Sequence, residues 1–152
     1  EIVGIDPDAE SIARARKAAV GLDIRFEATT TDKVRSNGGF DLVTICDCIH
    51  DLADPLRTLK QIHALLKPDG TLFVVEPKAA DRLEDNLNPV ATMFYGFSIF
   101  HCMTQSLARG GPGLGTCMGP AVAERLLREA GFKTFHILEV KSQVNLFYAA
   151  TP

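Results

Sequence analysis

The sequence predicts an α/β fold, a mostly parallel sheet that closes with an antiparallel C-terminal hairpin. Strand-like and helix-like runs alternate from residue 2 to residue 76, which is the order of a parallel sheet with crossover helices. The last two strand-like runs are joined by Lys141, Ser142 and Gln143 alone, and so short a link permits only antiparallel pairing. The chain has 152 residues, 46% hydrophobic and 23% charged. That is globular composition, with length enough for one domain and a real core. No repeat or linker divides it, so a single domain over residues 1–152 is expected.

Ile2 to Ile5 is the first strand-like run, and it ends on Asp6, Pro7 and Asp8. A helix follows over Ala9 to Val20, with Ile12, Ala15, Ala19 and Val20 as its apolar side. Asp6 or Asp8 is its cap and Gly21 its stop. Asp23 to Ala28 alternates as a second strand. Thr29 to Gly39 is polar and turn-rich. Phe40 to Asp47 is an unbroken β-favouring run, suited to a central strand buried on both faces. Asp54 and Pro55 open the next helix as N-cap and first helical residue. Leu56, Leu59, Ile62, Leu65 and Leu66 form its apolar stripe. Pro68, Asp69 and Gly70 end it, and Thr71 to Glu76 is another buried strand. Pro120 to Ala130 is a helix stopped by Gly131. Phe135 to Val140 and Val144 to Ala149 are the hairpin strands.

Charge and cysteine usage exclude several classes. The balance of 16 Lys+Arg against 19 Asp+Glu gives a formal charge of −3, so no basic footprint for nucleic acid or an anionic membrane exists. No apolar run approaches the ~18 residues of a membrane span. The N-terminus shows no basic region followed by an apolar stretch. Cys46, Cys48, Cys102 and Cys117 are too few for a disulfide scaffold, and reduced thiols in a cytoplasmic protein are expected. The chain opens on Glu1 inside a strand-like run, and an upstream segment is expected to be missing.

Ligands of open α/β sheets sit at the carboxyl ends of the strands. The ends here are Asp6, Ala28 to Thr30, Asp47 and Glu76. A carboxylate at position 6 suits two ribose hydroxyls, and it equally suits a helix cap. His50, three residues past Asp47, is a candidate general base; packing within the turn before Asp54 is the other reading. His101 is a second candidate, while His63 and His136 read as structural. Cys46, Cys48 and His50 share a face if the strand runs on. Their spacing is not that of a zinc knuckle, and no metal is expected. Gly111, Gly113 and Gly115 spell a Gly-x-Gly-x-Gly string, but no buried strand precedes it and Pro112 interrupts it. A flexible lid beside a pocket is the better reading. The cluster from Met93 to Met103 reads as core; if it lines a pocket instead, the substrate is apolar or aromatic.

The order and spacing of several motifs go further. They run from Val3 to Pro7, Phe40 to Val43, Asp47 to Pro55, Leu65 to Leu72, Val75 to Pro77 and Glu129 to Phe132, with Asp81 to Pro89, an aromatic helix and a Gly-rich loop at Gly111 to Gly119. From Ile2 to the C-terminus this pattern resembles the class I S-adenosylmethionine-dependent methyltransferases, closest to a bacterial group acting on small molecules. The resemblance implies S-adenosylmethionine as cofactor, with Asp6 on its ribose and Pro7 against its adenine. Thr30 stands where the family often has an Asp for the adenine amino group, and Thr31 would add a backbone N–H. Cys46 and Asp47 fall beside the methionine arm and the methyl group. Methyl transfer is an in-line displacement that needs alignment and often a base, the role open to His50.

The family's Gly-x-Gly-x-Gly loop, roughly 20 residues before the ribose acid, has no counterpart ahead of Asp6. The expected fold is therefore a partial Rossmann-like one lacking the first strand and that loop. A gap should lie between the strands at Ile2 to Asp6 and at Phe40 to Asp47. Such a chain is expected to be inactive alone and to self-associate through exposed strand edges. A non-catalytic binding or assembly module on the same scaffold is the alternative. A nicotinamide-dependent Rossmann enzyme is disfavoured by the final hairpin. The partners expected are a small, apolar or aromatic substrate and a second copy of the chain, with neither nucleic acid nor membrane.

Overall fold

The computed structural model describes residues 1–152. Its elements are β1 (Ile2–Asp6), α1 (Ala9–Ala18), β2 (Ile24–Ala28), β3 (Phe40–Cys46), α2 (Pro55–Leu65), β4 (Leu66–Pro77), α3 (Pro89–Phe97), α4 (Met103–Ala108), α5 (Pro120–Ala130), β5 (His136–Ile137) and β6 (Asn145–Ala150). They gather into two units, Glu1–Asn37 and Gly38–Pro152. The α/β expectation holds, and no helix is long and apolar enough to cross a membrane.

In the first unit β1 and β2 pair in parallel, with Ile2 opposite Ile24 and Asp6 opposite Ala28. The ladder continues one step as the Thr29 N–H donates to Asp6 O at 3.0 Å. Both strands therefore end side by side, which brings the Asp6 carboxylate to the same end as Thr29 and Thr30. Gly4 permits this pairing to be close, since a Cβ there would lie 2.7 Å from the Phe26 ring. Helix α1 is capped by Asp8, whose carboxylate accepts the Ser11 N–H at 2.8 Å, the usual role of an Asp at that position. Ile12 is its only buried side chain. Val20, expected on the apolar side, is 81% exposed because the helix has ended before it.

The second unit holds a four-stranded sheet in the order β3-β4-β6-β5. β3 and β4 are parallel, and β6 runs antiparallel to both β4 and β5. The C-terminal hairpin is thus as expected, though β5 is only two residues long. Two expectations fail. β3 is an edge strand, not a central one, and Asp41, Leu42, Thr44 and Cys46 are exposed. β4 begins at Leu66 and swallows the expected stop at Pro68 to Gly70 through a register shift opposite Phe40 and Leu42. The loop closes tightly there, because a Cβ on Gly70 would lie 2.7 Å from Phe40 O. The strands on either side of the expected gap, β1 and β3, belong to different sheets.

The core of this unit lies between the sheet and the packed pair α2 and α5. Asp54 caps α2 by accepting the Arg57 N–H at 3.0 Å, and Pro55 fills the first position. Leu59 and Ile62 of the predicted stripe are buried against Leu126, Leu127 and Phe132. Gly119 offers α5 no side-chain cap, and Asp81 supplies one from outside by accepting the Ala121 N–H at 2.7 Å. Gly131 ends α5 at φ 110°, a left-handed stop. His63 packs edge-on to Phe132 at 5.1 Å between centroids, the structural role expected of it.

Leu127 has no exposed surface. Leu127→Ala should lower the unfolding free energy of the second unit by about 2–5 kcal/mol. Val20→Ala, on an exposed side chain, should change stability by less than about 0.5 kcal/mol. Urea titration followed by circular dichroism measures both.

Candidate active site

The parallel pairing of β3 and β4 fixes where the chemistry gathers. Cys46 lies opposite Val75, and the Asp47 N–H donates to Val75 O at 2.8 Å. Asp47 then takes φ 47°, the only non-glycine residue with positive φ. Asp tolerates that left-handed conformation better than most residues. The turn ends the strand and swings the next residues, a short 3₁₀ segment over Ile49–Asp51, beneath the end of β4. It also breaks the strand alternation, so Cys46, Cys48 and His50 do not share a strand face.

Glu76 is the anchor of this turn. It is 2% exposed. Its Oε1 accepts the Ile49 N–H at 2.9 Å and the Cys48 N–H at 3.3 Å. Its Oε2 pairs closely with Nδ1 of His50. His50 is 3% exposed, and its Nε2 lies 3.3 Å from Oδ1 of Asp51. Burial disfavours the charged imidazole, but the Glu76 carboxylate, helped by Asp51 and Asp47, outweighs it and holds the pKa above the usual histidine range. The same surroundings act on neighbouring groups. Cys46 is exposed as a residue, but partial desolvation of its thiol, aided by the charges of Asp47 and Glu76, pushes the thiol up. Burial likewise pushes the Tyr148 hydroxyl well up.

The aromatic segment and the Gly-rich loop close over this turn. α3, capped by Asn88, passes through a π-helical turn at Ser98–Cys102 into α4. Phe94 and Cys102 face inward, whereas Phe97 and Phe100 are exposed, so the cluster is only in part the core expected of it. The loop is strapped rather than loose. Gly115 N–H donates to His50 O at 3.3 Å, Thr116 N–H to Ser98 Oγ at 3.2 Å and Gly113 N–H to Ser106 Oγ at 3.2 Å. Ser106, with no exposed surface, in turn donates to Leu52 O at 2.9 Å. The glycines are required by contact: a Cβ at Gly115 would collide with Ser98 Oγ, and one at Gly111 would lie 2.6 Å from Ala53 Cα.

Of the expected site residues in the second unit, Cys46, Asp47 and His50 therefore lie in one stretch around the ends of β3 and β4. His101 is exposed and engages Gln105 instead. In the first unit, Asp6 accepts the Asp8 N–H at 2.7 Å and leaves the helix cap to Asp8. Pro7 is exposed beside it. Thr30 precedes a 3₁₀ turn over Thr31–Lys33 and donates its hydroxyl to Asp32. A cleft of about 270 Å³ lies between β1 and α1, lined by Ile5, Asp6, Ser11 and Phe26 among others. Sequence reasoning placed Glu76 among the ligand-facing strand ends without giving it a role, and it left Asp51, Asp32 and Cys102 out of the site. Glu76 had a signal, an acid buried at a strand end. Cys102 had none, because only the π turn brings it to Asp51.

Residues 1–72 match the family model described as a methyltransferase domain. The ubiquinone biosynthesis O-methyltransferase of Haemophilus ducreyi is 36% identical over 81 residues, 48% of this chain and 34% of that protein. The demethylmenaquinone methyltransferase of Thermus thermophilus is 38% identical over 87 residues, 53% of this chain and 40% of that protein. The chain thus spans about a third of the length of the first of these curated relatives. Among solved structures, human N-acetylserotonin methyltransferase in complex with S-adenosylmethionine superposes with a TM-score of 0.69 at 24% identity, covering 99% of this chain and 40% of that one.

Removing the Glu76 carboxylate strands the Cys48 and Ile49 N–H groups and the imidazole together. Glu76→Ala should cost about 3–5 kcal/mol, the scale of breaking a buried pair from one side. Glu76→Gln keeps an acceptor for the two N–H groups and should cost clearly less. Urea unfolding of the two variants distinguishes them, and equal losses would show that the backbone contacts contribute nothing.

Proposed function

We propose that the chain is part of a class I S-adenosylmethionine-dependent methyltransferase and that it carries methyl transfer to a small aromatic acceptor, with His50 as the base. The observation that carries this reading is the buried Glu76–His50 pair at the end of β4. A carboxylate on Nδ1 fixes the tautomer and leaves Nε2, which faces Asp51, as the nitrogen that can take a proton. The acceptor is proposed as a hydroxyl on an aromatic ring, in line with the relative named for O-methylation in ubiquinone biosynthesis.

The donor set suits S-adenosylmethionine. When bound, the cofactor supplies an electrophilic sulfonium methyl group. Asp6 offers carboxylate oxygens to a ribose diol, and Pro7 an exposed ring to the adenine. The hydroxyl of Thr30 and the backbone of Thr31 offer polar contacts to the base. Cys46 and Asp47 stand at the end of β3, where a carboxylate balances positive charge. His50 takes the acceptor proton only when Asp51 leaves Nε2, because the closed arrangement buries the ring. His50 therefore deprotonates an acceptor that displaces this cover.

The non-catalytic alternative draws on that burial: a base 3% exposed can equally be a structural latch. Free thiols at all four cysteines suit the cytoplasm, which is the location we propose. Exposed Phe97, Ile99 and Phe100 support a homo-oligomer as the working form.

Calorimetric titration with S-adenosylhomocysteine tests the inactivity expected from the missing Gly-x-Gly-x-Gly loop: no measurable binding upholds it, whereas a defined Kd that Asp6→Ala weakens at least tenfold overturns it and supports the ribose role. His50→Gln should leave that Kd within twofold and lower methyl transfer to a catechol-type acceptor by about 10²–10⁴-fold. Unchanged transfer in His50→Gln would leave His50 as a latch. Unchanged affinity in Asp6→Ala would remove the ribose role.

A further inference from the structure

We propose that His50, Asp51 and Cys102 form a binding site for a thiophilic divalent cation of the zinc class. A ring nitrogen of His50, a carboxylate oxygen of Asp51 and Sγ of Cys102 all lie within 4.8 Å of one another, and Nε2 is the nitrogen on the Asp51 side at 3.3 Å. Nitrogen, oxygen and sulfur donors together suit zinc and its neighbours rather than magnesium or calcium. The cluster is not an exposed acidic patch: His50 is 3% and Cys102 6% exposed.

The surroundings are those of a ligand set. Glu76 occupies Nδ1 of His50, which leaves Nε2 as the coordinating nitrogen. Glu76 is itself fixed by the Ile49 and Cys48 N–H groups. Carboxylate behind histidine behind metal is the arrangement that orients such ligands and raises their basicity. Thr116 Oγ1 donates to Sγ of Cys102 at 3.1 Å; burial and the Asp51 carboxylate nonetheless push the thiol up, so it is a cation that draws off its proton. Asp51 Oδ1 is buried without an N–H or O–H donor; its neighbours are Nε2 of His50 at 3.3 Å and the weakly donating Cys102 thiol. A buried acceptor left so is costly, and a cation shared with Nε2 satisfies it. Cys102 reaches the cluster because the π-helical turn Ser98–Cys102 widens the helix there; such turns recur at functional sites.

The charges balance. Asp51 contributes −1, and Cys102 contributes −1 after its thiol proton passes to solvent. Neutral His50 then completes a net-zero site with a dication. Any proton on Nε2 is released as the metal replaces it. The cation takes the lone pair that the proposed transfer needs, so filling the site inhibits that reaction. This consequence rests on His50 being the base, whereas binding itself does not.

Cobalt(II) titration of the reduced protein reads the site directly. One equivalent should bring up a thiolate-to-cobalt charge-transfer band, and zinc should remove it. Cys102→Ser should abolish the band, and Cys46→Ser and Cys117→Ser should leave it intact. Glu76→Gln should weaken cobalt binding by roughly 10–100-fold. Thermal denaturation shows that each variant is folded, and S-adenosylhomocysteine affinity gives a second check on Cys102→Ser. Absence of the band in the parent protein, or its survival in folded Cys102→Ser, overturns the proposal. In the transfer assay zinc should inhibit the parent protein and spare Cys102→Ser. Cobalt binding without any inhibition by zinc would uphold the site and overturn His50 as the base.

Discussion

The buried carboxylate of Glu76 is the constraint on which the rest of the second unit's site depends. A charge 2% exposed is costly unless every lone pair is occupied. Here it takes two backbone N–H groups and one imidazole nitrogen. The two N–H groups belong to the turn after β3, so Glu76 joins two parallel strands at the end where backbone pairing has stopped. The same contacts decide the orientation of His50. Remove the carboxylate and neither the turn nor the ring has a defined place.

That anchoring propagates outward. With His50 O fixed, the Gly115 N–H has an acceptor, and the Gly-rich loop gains its first attachment. Ser98, Ser106 and Thr116 supply the others. A loop rich in glycine could have been mobile. Its glycines instead serve close approach, since side chains at 111 and 115 would strike Ala53 and Ser98. Exposing His50 from this side would therefore break several specific hydrogen bonds together.

Much of the fold was legible because it is locally encoded. Asp54 and Pro55 announced α2, Gly131 announced the end of α5, and the short link after Val140 dictated an antiparallel hairpin. The failures were non-local. Phe40 to Cys46 looks central by composition, but whether a strand is central depends on its neighbours, and β3 pairs only with β4. Val20 fits the helical period but falls past the last turn. Within the site, Asp47 and His50 were readable as residues at a strand end. Their union with Asp51 and Cys102 was not, because a π turn shifts the helical register by an amount that periodicity does not encode.

Asp47 shows how backbone and charge meet at one position. Its φ of 47° lies where glycine is unstrained and asparagine comfortable, while an aspartate costs something on the order of 1 kcal/mol. Conformation alone therefore gives no reason for an acid there. What an acid adds is a negative charge at the end of β3, beside Cys46 and ahead of the His50 turn. That charge adds to the effect of the Glu76 and Asp51 carboxylates in raising the His50 pKa above the usual histidine range. An asparagine would make the turn equally well and supply no such charge, so the strain at Asp47 is the cost of placing a carboxylate where the chain must bend.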